Sequence, residues 1–405
     1  MRISRPLPRR IHRNPGIENS LAASLERALK RAAALLLRAM APRGRAFDPA
    51  SPDAPKIRSI LVIRQHNQLG DMLCVVPLLR ALRAAYSGAR LTLMSSPVNF
   101  EVMRGNRYLD ETLNYDKRAF LGRAWIRIAP LMRFMRMLRK RSFDMVLVPA
   151  TVSSSFTSDL LAVVTGAPVR IGTKSLDGVQ NPTGFVYTHP VVLDWRNEPS
   201  RHQTLRNLDI AAGLNLPPQE LSLDITLTEE EKSHGRSVVA GLRKEGGPVV
   251  AIHPGAGKLP NRWPPTCFAQ LCKALSDSAG AGIIVTAGPM DDETIMSLCK
   301  VLEIKPYLLQ DQPIRLVASI LSEVDLLVSN DTGIMHVGAA VGTPVLSLFG
   351  PTDPGQWAPP GLQHRFFRGK GGNIEAIPLD EVVGAALAML GTNAGTIAHQ
   401  QRYEK

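Results

Sequence analysis

The chain of 405 residues has little cysteine, few aromatic residues and no long apolar run. Its four cysteines are too few for a disulfide scaffold and lack the spacings of zinc ligands, which predicts reduced thiols inside a cell. Aromatic residues make up only 5% of the chain, so we expect a mostly aliphatic core. A membrane-spanning helix needs about 20 apolar residues, and no apolar segment follows the N-terminal arginines. We therefore expect neither a transmembrane helix nor a signal peptide.

Motifs of several hydrolytic and metal-dependent enzymes are also missing. The sequence contains no G-x-S-x-G, H-E-x-x-H, D-x-D or EF-hand pattern. These absences disfavour serine hydrolases, zinc proteases and the diphosphate transferases that hold a bridging metal with paired aspartates.

Positive charge is concentrated at one end of the chain. Residues 1–58 carry 13 Lys and Arg against 4 Asp and Glu, a balance of +9. The remaining residues carry 35 against 31, which is only +4 of the total of +13. A DNA-binding domain usually carries its positive charge on the folded body, so this distribution argues against a nucleic-acid partner.

Residues 1–56 are predicted to form a basic extension with a proline-rich linker at 41–55. Apolar residues at 4-3-4-3 spacing predict an amphipathic helix in it: Leu21, Leu25, Ala28, Ala32 and Leu35. Such a helix is typical of contact with an anionic membrane, and equally of packing on the body with a solvated basic face. A second basic helix is predicted at 127–141, where a solvated face is the commoner explanation and a patch facing a membrane or an acidic substrate the alternative.

From Arg58 onward, short β-branched or leucine-rich runs alternate with stretches of helical period. The predicted strands are Ser59–Ile63, Leu91–Met94, Met145–Val148, Val249–His253, Gly282–Thr286, Asp325–Val328 and Val345–Phe349. This alternation is typical of parallel sheets covered by helices on both faces, and it pauses at 215–248. We therefore predict an α/β fold with Rossmann-like domains at 57–225 and 226–391, followed by a tail at 392–405.

Ligands of open α/β sheets bind beyond the carboxyl ends of the strands, so loops that follow predicted strands are candidate sites. The first such loop, at 64–71, ends in Gly70 and Asp71 at the start of a predicted helix. A carboxylate at a helix N-terminus is stabilised by the orphan N–H groups and the helix dipole. Asp71 is therefore a candidate general base, and a simple helix cap is the alternative.

Three further loops suit an anion. The loop at 253–258 is neither a Walker A loop nor a complete G-x-G-x-x-G, yet its small residues with Lys258 and Arg262 suit close approach to a phosphate. The loop at 329–333 precedes a helix whose first N–H groups suit a phosphate, and the loop at 350–354 is expected beside it. Together they favour a nucleotide-diphosphate pocket, with a structural role for His253 and an N-cap role for Asp331 or Thr332 as the alternatives.

Three segments resemble the ADP-heptose:lipopolysaccharide heptosyltransferase family, and they occur in the family's order. They are ILVIRQHNQLGDMLCVVPLLRAL at 60–82, HPGAGKLPNRWP at 253–264 and SNDTGIMHVGAAVGTPVLSLFGPTDP at 329–354. The likeness covers about residues 57–390 and implies a GT-B fold, with the active site in the cleft between two Rossmann-like domains. It implies an inverting glycosyltransferase that uses a nucleotide sugar, ADP-heptose in this family, and neither a metal nor another cofactor. The implied acceptor is a lipopolysaccharide core or related glycan at the cytoplasmic face of the inner membrane, which the enzyme would contact peripherally.

By motif, the resemblance implies that Asp71 is the base for the acceptor hydroxyl. The implied donor-binding residues are His253, Gly255, Gly257, Lys258, Arg262, Asn330, Asp331, Thr332, Gly333 and His336. Asn261 stands where many relatives carry a lysine, so Lys258 or Arg262 is the candidate cation for the diphosphate. The first loop is unusually polar, which makes Gln65, Asn67 and Gln68 candidates for acceptor binding.

Two other functions stay open at this point. A nucleotide-sugar 2-epimerase of the same fold would be expected to need cleft carboxylates in the C-terminal half as well. A non-catalytic protein that binds nucleotide or glycan and scaffolds an assembly is the other alternative, and the presence of Asp71 argues against it.

Overall fold

The computed structural model describes residues 56–65, 68–116, 119, 128–244 and 246–391. The predicted helix and linker of the basic extension, the predicted tail at 392–405 and the acceptor candidate Asn67 lie outside these ranges. The described chain forms two halves, each built on one largely parallel sheet, and this confirms the predicted α/β fold.

The first half contains seven strands, and its central strand is almost completely buried. The strands are β1 (Ser59–Arg64), β2 (Arg90–Ser95), β3 (Glu111–Asn114), β4 (Met145–Val148), β5 (Val169–Leu176), β6 (Val179–Gln180) and β7 (His189–Leu193). Their order is β3-β2-β1-β4-β5-β6, with β7 also paired to β5, and β5 with β6 is the antiparallel pair. This places the loop after β1 at the middle of the sheet's carboxyl edge, where open α/β sheets bind ligands.

The second half repeats the arrangement with six parallel strands in the order β10-β9-β8-β11-β12-β13. The strands are β8 (Val249–His253), β9 (Gly282–Ala287), β10 (Tyr307–Gln310), β11 (Leu326–Asn330), β12 (Val345–Phe349) and β13 (Arg365–Arg368). The loops after β8, β9, β11 and β12 therefore leave the same edge of the sheet side by side.

Helices connect the strands in both halves. Those of the first half are α1 (Leu69–Leu73), α2 (Val76–Ala85), α3 (Pro97–Met103), α4 (Ile128–Lys140), α5 (Phe156–Thr165) and α6 (Gln203–Asp209). Those of the second half are α7 (Glu229–Ala240), α8 (Pro265–Ala279), α9 (Asp292–Val301), α10 (Ile314–Leu321), α11 (Gly333–Ala340), α12 (Pro354–Trp357) and α13 (Leu379–Met389).

The seven predicted strands are all present, with ends that differ by at most two residues. The strands that the sequence pattern missed are mostly short or lie at the sheet edges, such as β3 and β13, where polar residues replace the apolar run. β5 was missed because Gly172 and charged residues interrupt it; the Tyr187 ring occupies the space that a side chain at Gly172 would fill.

Arg315 of α10 joins the two halves. Its guanidinium donates to both carboxylate oxygens of Glu231 at 2.5 and 2.6 Å, and to the carbonyls of Glu101 and Arg104, at the end of α3, at 3.0 and 3.1 Å. The hydrogen bond from Arg315 is the main cause that lowers the pKa of Glu231 to about 2. A second link is formed by the loop before α6, where Gln356 donates to the Pro199 carbonyl at 2.7 Å.

Candidate active site between the two halves

The loop after β1 meets the loop after β11 where the two halves touch, because α1 packs against α11. A Cβ atom at Gly333 would lie 3.1 Å from Leu69 Cβ. A Cβ atom at Gly70 would lie 2.5 Å from Cδ2 and 2.7 Å from Nε2 of His336, so glycine alone fits there without displacing the imidazole. The fold therefore brings the predicted base region against the predicted donor region.

Asp71 is the third residue of α1 and is only 3% exposed. Its Oδ1 accepts a hydrogen bond from Arg64 Nη2 at 3.2 Å. The N-cap position of α1 belongs to Gln68, so Asp71 is the partner of a cation and not the helix cap. Within the described ranges Arg64 is the one hydrogen-bond partner of this carboxylate, and Oδ2 has none.

Arg64, at the end of β1, is a site residue that the sequence pattern did not single out. Its Nη1 donates to the Pro149 carbonyl at 3.1 Å, and its Nη2 also donates to Thr151 Oγ1 at 3.1 Å. Burial lowers the pKa of Arg64, and the neighbouring Asp71 opposes that shift. One feature of the sequence could have identified it: Arg64 directly follows the aliphatic run Ile60–Ile63 of a predicted buried strand. An arginine that is buried in this way requires a partner.

The polar residues of the first loop occupy different environments. Gln65 is buried and donates through Nε2 to Ser158 Oγ at 3.1 Å, while its Oε1 is buried without a partner among the described residues. Gln68 is exposed, and its backbone carbonyl accepts from Asn99 Nδ2 at 3.4 Å. Of the two, Gln68 alone presents its side chain to solvent at the junction.

His253, at the end of β8, is buried and packed between loops. Its Nδ1 lies 3.1 Å from the Thr286 carbonyl oxygen and 3.0 Å from Thr286 Oγ1. Burial lowers the pKa of His253, although Asp291, 3.9 Å from Nε2, acts in the opposite direction. The Asp291 carboxylate also occupies the space that a side chain at Gly255 would need, whereas a Cβ at Gly257 would meet nothing within 4 Å. His253 thus holds the loops together, and Gly257 faces open space.

The two candidate cations differ in their contacts. Arg262 donates to the Ala256 carbonyl at 2.8 Å and to Thr294 Oγ1 at 3.1 Å, so it braces the loop after β8. Lys258 is exposed and near enough to Asp331 for its charge to act on that carboxyl. Lys258 is therefore the candidate cation whose ammonium group has no partner among the described residues and lies near the start of α11.

Asn261, where the resemblance leads us to expect a lysine, is tied to the loops after β11 and β12. Its Nδ2 donates to Asp331 Oδ2 at 3.0 Å and to Thr352 Oγ1 at 3.2 Å. Burial raises the pKa of Asp331, against the smaller opposing effects of Thr352 and Lys258.

Asn330 connects the second loop to the third. It is fully buried, accepts from the Trp263 backbone N–H at 3.2 Å, and donates to the Pro254 carbonyl at 2.8 Å. These contacts use both ends of its amide, so Asn330 positions the loops and presents no free group to a ligand.

The third loop delivers the start of α11 to the junction. Thr332 holds the N-cap position, but its side chain makes no capping hydrogen bond, and Asp331 precedes it. His336 is buried, and its Nδ1 has no hydrogen-bond partner in the part of the chain that the structure describes. Burial lowers the pKa of His336 to about 3, so the imidazole is neutral at physiological pH.

The described residues contain neither a cluster suited to a metal ion nor a helix suited to span a bilayer. No group of three or more His, Cys, Asp or Glu side chains in these ranges is arranged to hold a metal ion. No helix in the same ranges is both long and apolar enough to span a bilayer.

Comparison with known proteins identifies a related family. The family model described as glycosyltransferase family 9 (heptosyltransferase) matches residues 131–374. Among curated proteins, lipopolysaccharide heptosyltransferase 2 of Escherichia coli K12 is 27% identical over 325 residues, which cover 76% of this chain and 86% of the relative.

Solved structures share the fold. A glycosyl transferase family 9 protein from Veillonella parvula superimposes with a TM-score of 0.73 at 21% identity, covering 83% of this chain and 98% of that one. The E. coli ADP-heptose LPS heptosyltransferase II gives a TM-score of 0.67 at 22% identity and covers 83% and 100%. These likenesses confirm the predicted two-domain GT-B fold.

Proposed function

The chain belongs to glycosyltransferase family 9, and on that premise we propose that it transfers heptose from ADP-heptose to a lipopolysaccharide core or related glycan. The proposed reaction inverts the anomeric centre and uses no metal. Support for the donor and acceptor comes from the motif resemblance and from relatives whose names state ADP-heptose and lipopolysaccharide.

One contact carries the proposal: Gly70 lies against His336 across the junction of the halves. Asp71 follows Gly70, and the predicted donor segment 331–333 precedes His336 by one turn of helix. An acceptor hydroxyl held by the first half and a donor sugar held by the second would meet at this junction.

The first half is proposed to activate the acceptor. Transfer forms a bond between the acceptor oxygen and the anomeric carbon, so the hydroxyl proton must leave, and Asp71 is the proposed base. Arg64 holds Oδ1, which leaves Oδ2 to accept that proton. General-base catalysis of this kind contributes about 10²–10⁴ in rate.

The second half is proposed to bind the donor and stabilise the leaving diphosphate. The first N–H groups of α11 suit an anion, and Lys258 adds a mobile cation beside them. Arg262 acts in this scheme through the Ala256 carbonyl, as a brace for the loop. The proposed acceptor domain is 57–225 and the proposed donor domain 226–391, working at the cytoplasmic face of the inner membrane.

The first test is calorimetric titration of the full chain with ADP, UDP, GDP and CMP, with and without EDTA. Binding of ADP alone, unchanged by EDTA, is the expected result. A preference for another nucleotide would change the proposed sugar, and loss of binding in EDTA would remove the metal-free mechanism. No binding at all, or release of an epimerised sugar nucleotide without transfer, would contradict the proposed activity.

The two cations provide a sharper test of the donor site. Lys258→Ala should weaken ADP binding about tenfold or more, because a charge-assisted contact is lost. Arg262→Ala should also weaken it, whereas Arg262→Lys should restore little, since one ammonium cannot span Ala256 and Thr294. Unchanged affinity in both alanine variants would refute the proposed anion site.

A further inference from the structure

Helix α4 exposes one face that carries cations and apolar side chains. At 3.6 residues per turn, an arc of about 140° holds five exposed cationic or long apolar side chains, besides Ala129 and Arg139, whose guanidinium lies against Gly166. The five are Ile128, Met132, Arg133, Arg136 and Lys140, and together we name them the α4 face. Ile128 is 69% exposed and Met132 40%, and the three cations are exposed as well. The helix contains no acidic residue to neutralise them.

The opposite face of α4 attaches the helix to the body. Leu138 is buried, and the Phe134 ring lies 5.3 Å from the Tyr115 ring. Arg141, just past the helix, pairs with Glu111 of β3. The α4 face is therefore not needed to hold the helix in place.

Within the described ranges, Arg133, Arg136 and Lys140 form no ion pair and no hydrogen bond. Three uncompensated cations on one helix face raise the local positive potential, which favours an anionic partner. The basic extension is also positive, with a balance of +9 over residues 1–58, so charge repulsion argues against it as the cover of this face.

The apolar end of the α4 face lies towards the candidate active site. Tyr115 directly follows β3, so its contact with Phe134 places the middle of α4 beside the carboxyl end of that strand. Arg141 meets Glu111 at the other end of β3, so α4 runs antiparallel to the strand. Ile128 and Met132, in the first turns of α4, therefore extend beyond the carboxyl end of β3, at the edge of the sheet from which the loop after β1 also leaves.

We propose that the α4 face docks the protein on an anionic lipid bilayer. An interfacial helix inserts apolar side chains at the headgroup boundary while its cations meet lipid phosphates, and the α4 face offers both. The docking turns the carboxyl edge of the first sheet towards the membrane. It rests on the proposed function only in that a lipid-linked acceptor would reach the cleft from that side.

The test is co-sedimentation of the full chain with two kinds of vesicle, phosphatidylcholine alone and phosphatidylcholine with about 30% phosphatidylglycerol, near physiological salt. The expected result is binding to the anionic vesicles that falls as salt rises, and little binding to the neutral ones. Equal binding to both, or to neither, would overturn the proposal.

Two variants locate the surface. Arg133→Glu with Arg136→Glu and Lys140→Glu should weaken binding to anionic vesicles by roughly 100-fold or more. Ile128→Ser with Met132→Ser should weaken it roughly tenfold without changing the charge. This second variant keeps the test valid if the first one fails to fold.

Helix α9 supplies the matched control, because Met296 is 61% exposed there and Lys300, four residues later, is exposed as well. Met296→Ser with Lys300→Glu should change vesicle binding less than about twofold, since a single distant cation contributes little. Vesicle binding that both α4 variants leave unchanged, and that deletion of residues 1–55 abolishes, would assign docking to the extension and overturn the proposal.

Two further measurements separate this proposal from other partners and from the proposed activity. Binding of duplex DNA that is lost in the α4 variants, with vesicle binding intact, would make the face a nucleic-acid surface. Turnover of a delipidated acceptor should be unchanged in the α4 variants; a rise in its KM, with vesicle binding intact, would make the face a glycan subsite. Absence of sugar transfer in the natural chain and in every variant would contradict the proposed activity, whereas the vesicle-binding result would be unaffected.

Discussion

The two halves of the molecule each place a carboxylate at their junction, buried for Asp71 and half-buried for Asp331, and they give it different partners. Asp71 of the first half faces a fully buried cation, with Arg64 Nη2 at 3.2 Å. Asp331 of the second half faces a neutral amide, with Asn261 Nδ2 at 3.0 Å. Burial raises the pKa of Asp331, and the exposed Lys258 only partly offsets this.

This difference matches the two proposed tasks. A general base needs a negative oxygen held in one orientation, which a buried guanidinium with three contacts provides. A site for a diphosphate needs a cation that is available to the anion, and Lys258, exposed near Asp331, forms no ion pair among the described residues. The same residue type is therefore paired with a buried cation on one side of the cleft and with a neutral amide on the other.

Removing the cation of the first half should have the largest effect. Arg64→Met leaves a buried carboxylate uncompensated, and we expect the free energy of unfolding to fall by about 3–5 kcal/mol. Adding Asp71→Asn to this variant should recover much of the loss, because the pair is then neutral. Urea unfolding of both single variants and of the double variant measures the coupling free energy between Arg64 and Asp71. Additive changes in the free energy of unfolding would show that the loss does not come from this ion pair.

Neutralising the carboxylate of the first half should come next. Asp71→Asn keeps the shape and removes the proposed base, so turnover should fall by two decades or more while ADP affinity stays within about twofold. Steady-state kinetics and calorimetry check the two parts separately. Asp292→Asn, at the exposed start of α9, is the control and should leave turnover unchanged; activity retained in Asp71→Asn would end the base assignment.

Disturbing the contact between the halves should have a moderate effect on kcat/KM. Gly70→Ala places a methyl group 2.5 Å from His336 Cδ2, so α1 or the imidazole must move, and kcat/KM should fall about tenfold. Gly88→Ala is the matched control, because a Cβ there meets nothing within 4 Å. Equal kinetics for the two variants would show that the contact across the junction does not position the reactants.

Giving the second half a cation should have the smallest effect and depends on pH. The raised pKa of Asp331 makes its contribution to stability complete below its ordinary value near 3.8, and that contribution is lost as pH rises through the folded-state pKa. Asn261→Lys should lower this pKa, so the variant gains stability relative to the natural chain as pH rises from about 4 towards neutrality.

Urea unfolding across that pH range measures the effect of Asn261→Lys, with Asn197→Lys at an exposed position as the control. A pH-independent difference between Asn261→Lys and the natural chain would show that Asp331 does not sense the new charge. The same variant should bind ADP at least as well as the natural chain, because the added cation lies at the proposed diphosphate site.

The central strands could be predicted because their apolar runs are dictated by burial on both faces of a sheet. Val249–His253 and Val345–Phe349 appear with the predicted ends. The edge strands could not, because β13 pairs on one side only and its residues alternate between exposed and half-buried. Backbone pairing decides such a strand, and pairing leaves little trace in local composition.

The site divides in the same way. Sequence motifs placed Asp71, His253 and the segment 330–333 at or just beyond the carboxyl ends of strands. In the structure His253 and Asn330 end their strands, and Asp71 lies in the first turn of the helix that follows β1. The motifs did not separate positioning side chains from free ones. Asn330 and Arg262 brace neighbouring loops, while Lys258 stays exposed, and this follows from contacts between segments far apart in the chain.

By itself the sequence determined the alternation of strands and helices, the loops that carry polar groups and the family. Periodicity and turn residues act over a few positions, so they can be identified in one stretch of chain. Only the tertiary structure decided that Arg64 pairs with Asp71, that Gly70 touches His336, and that one face of α4 is exposed in the described part of the chain. Each of these depends on burial and on the approach of distant segments, which local pattern does not encode.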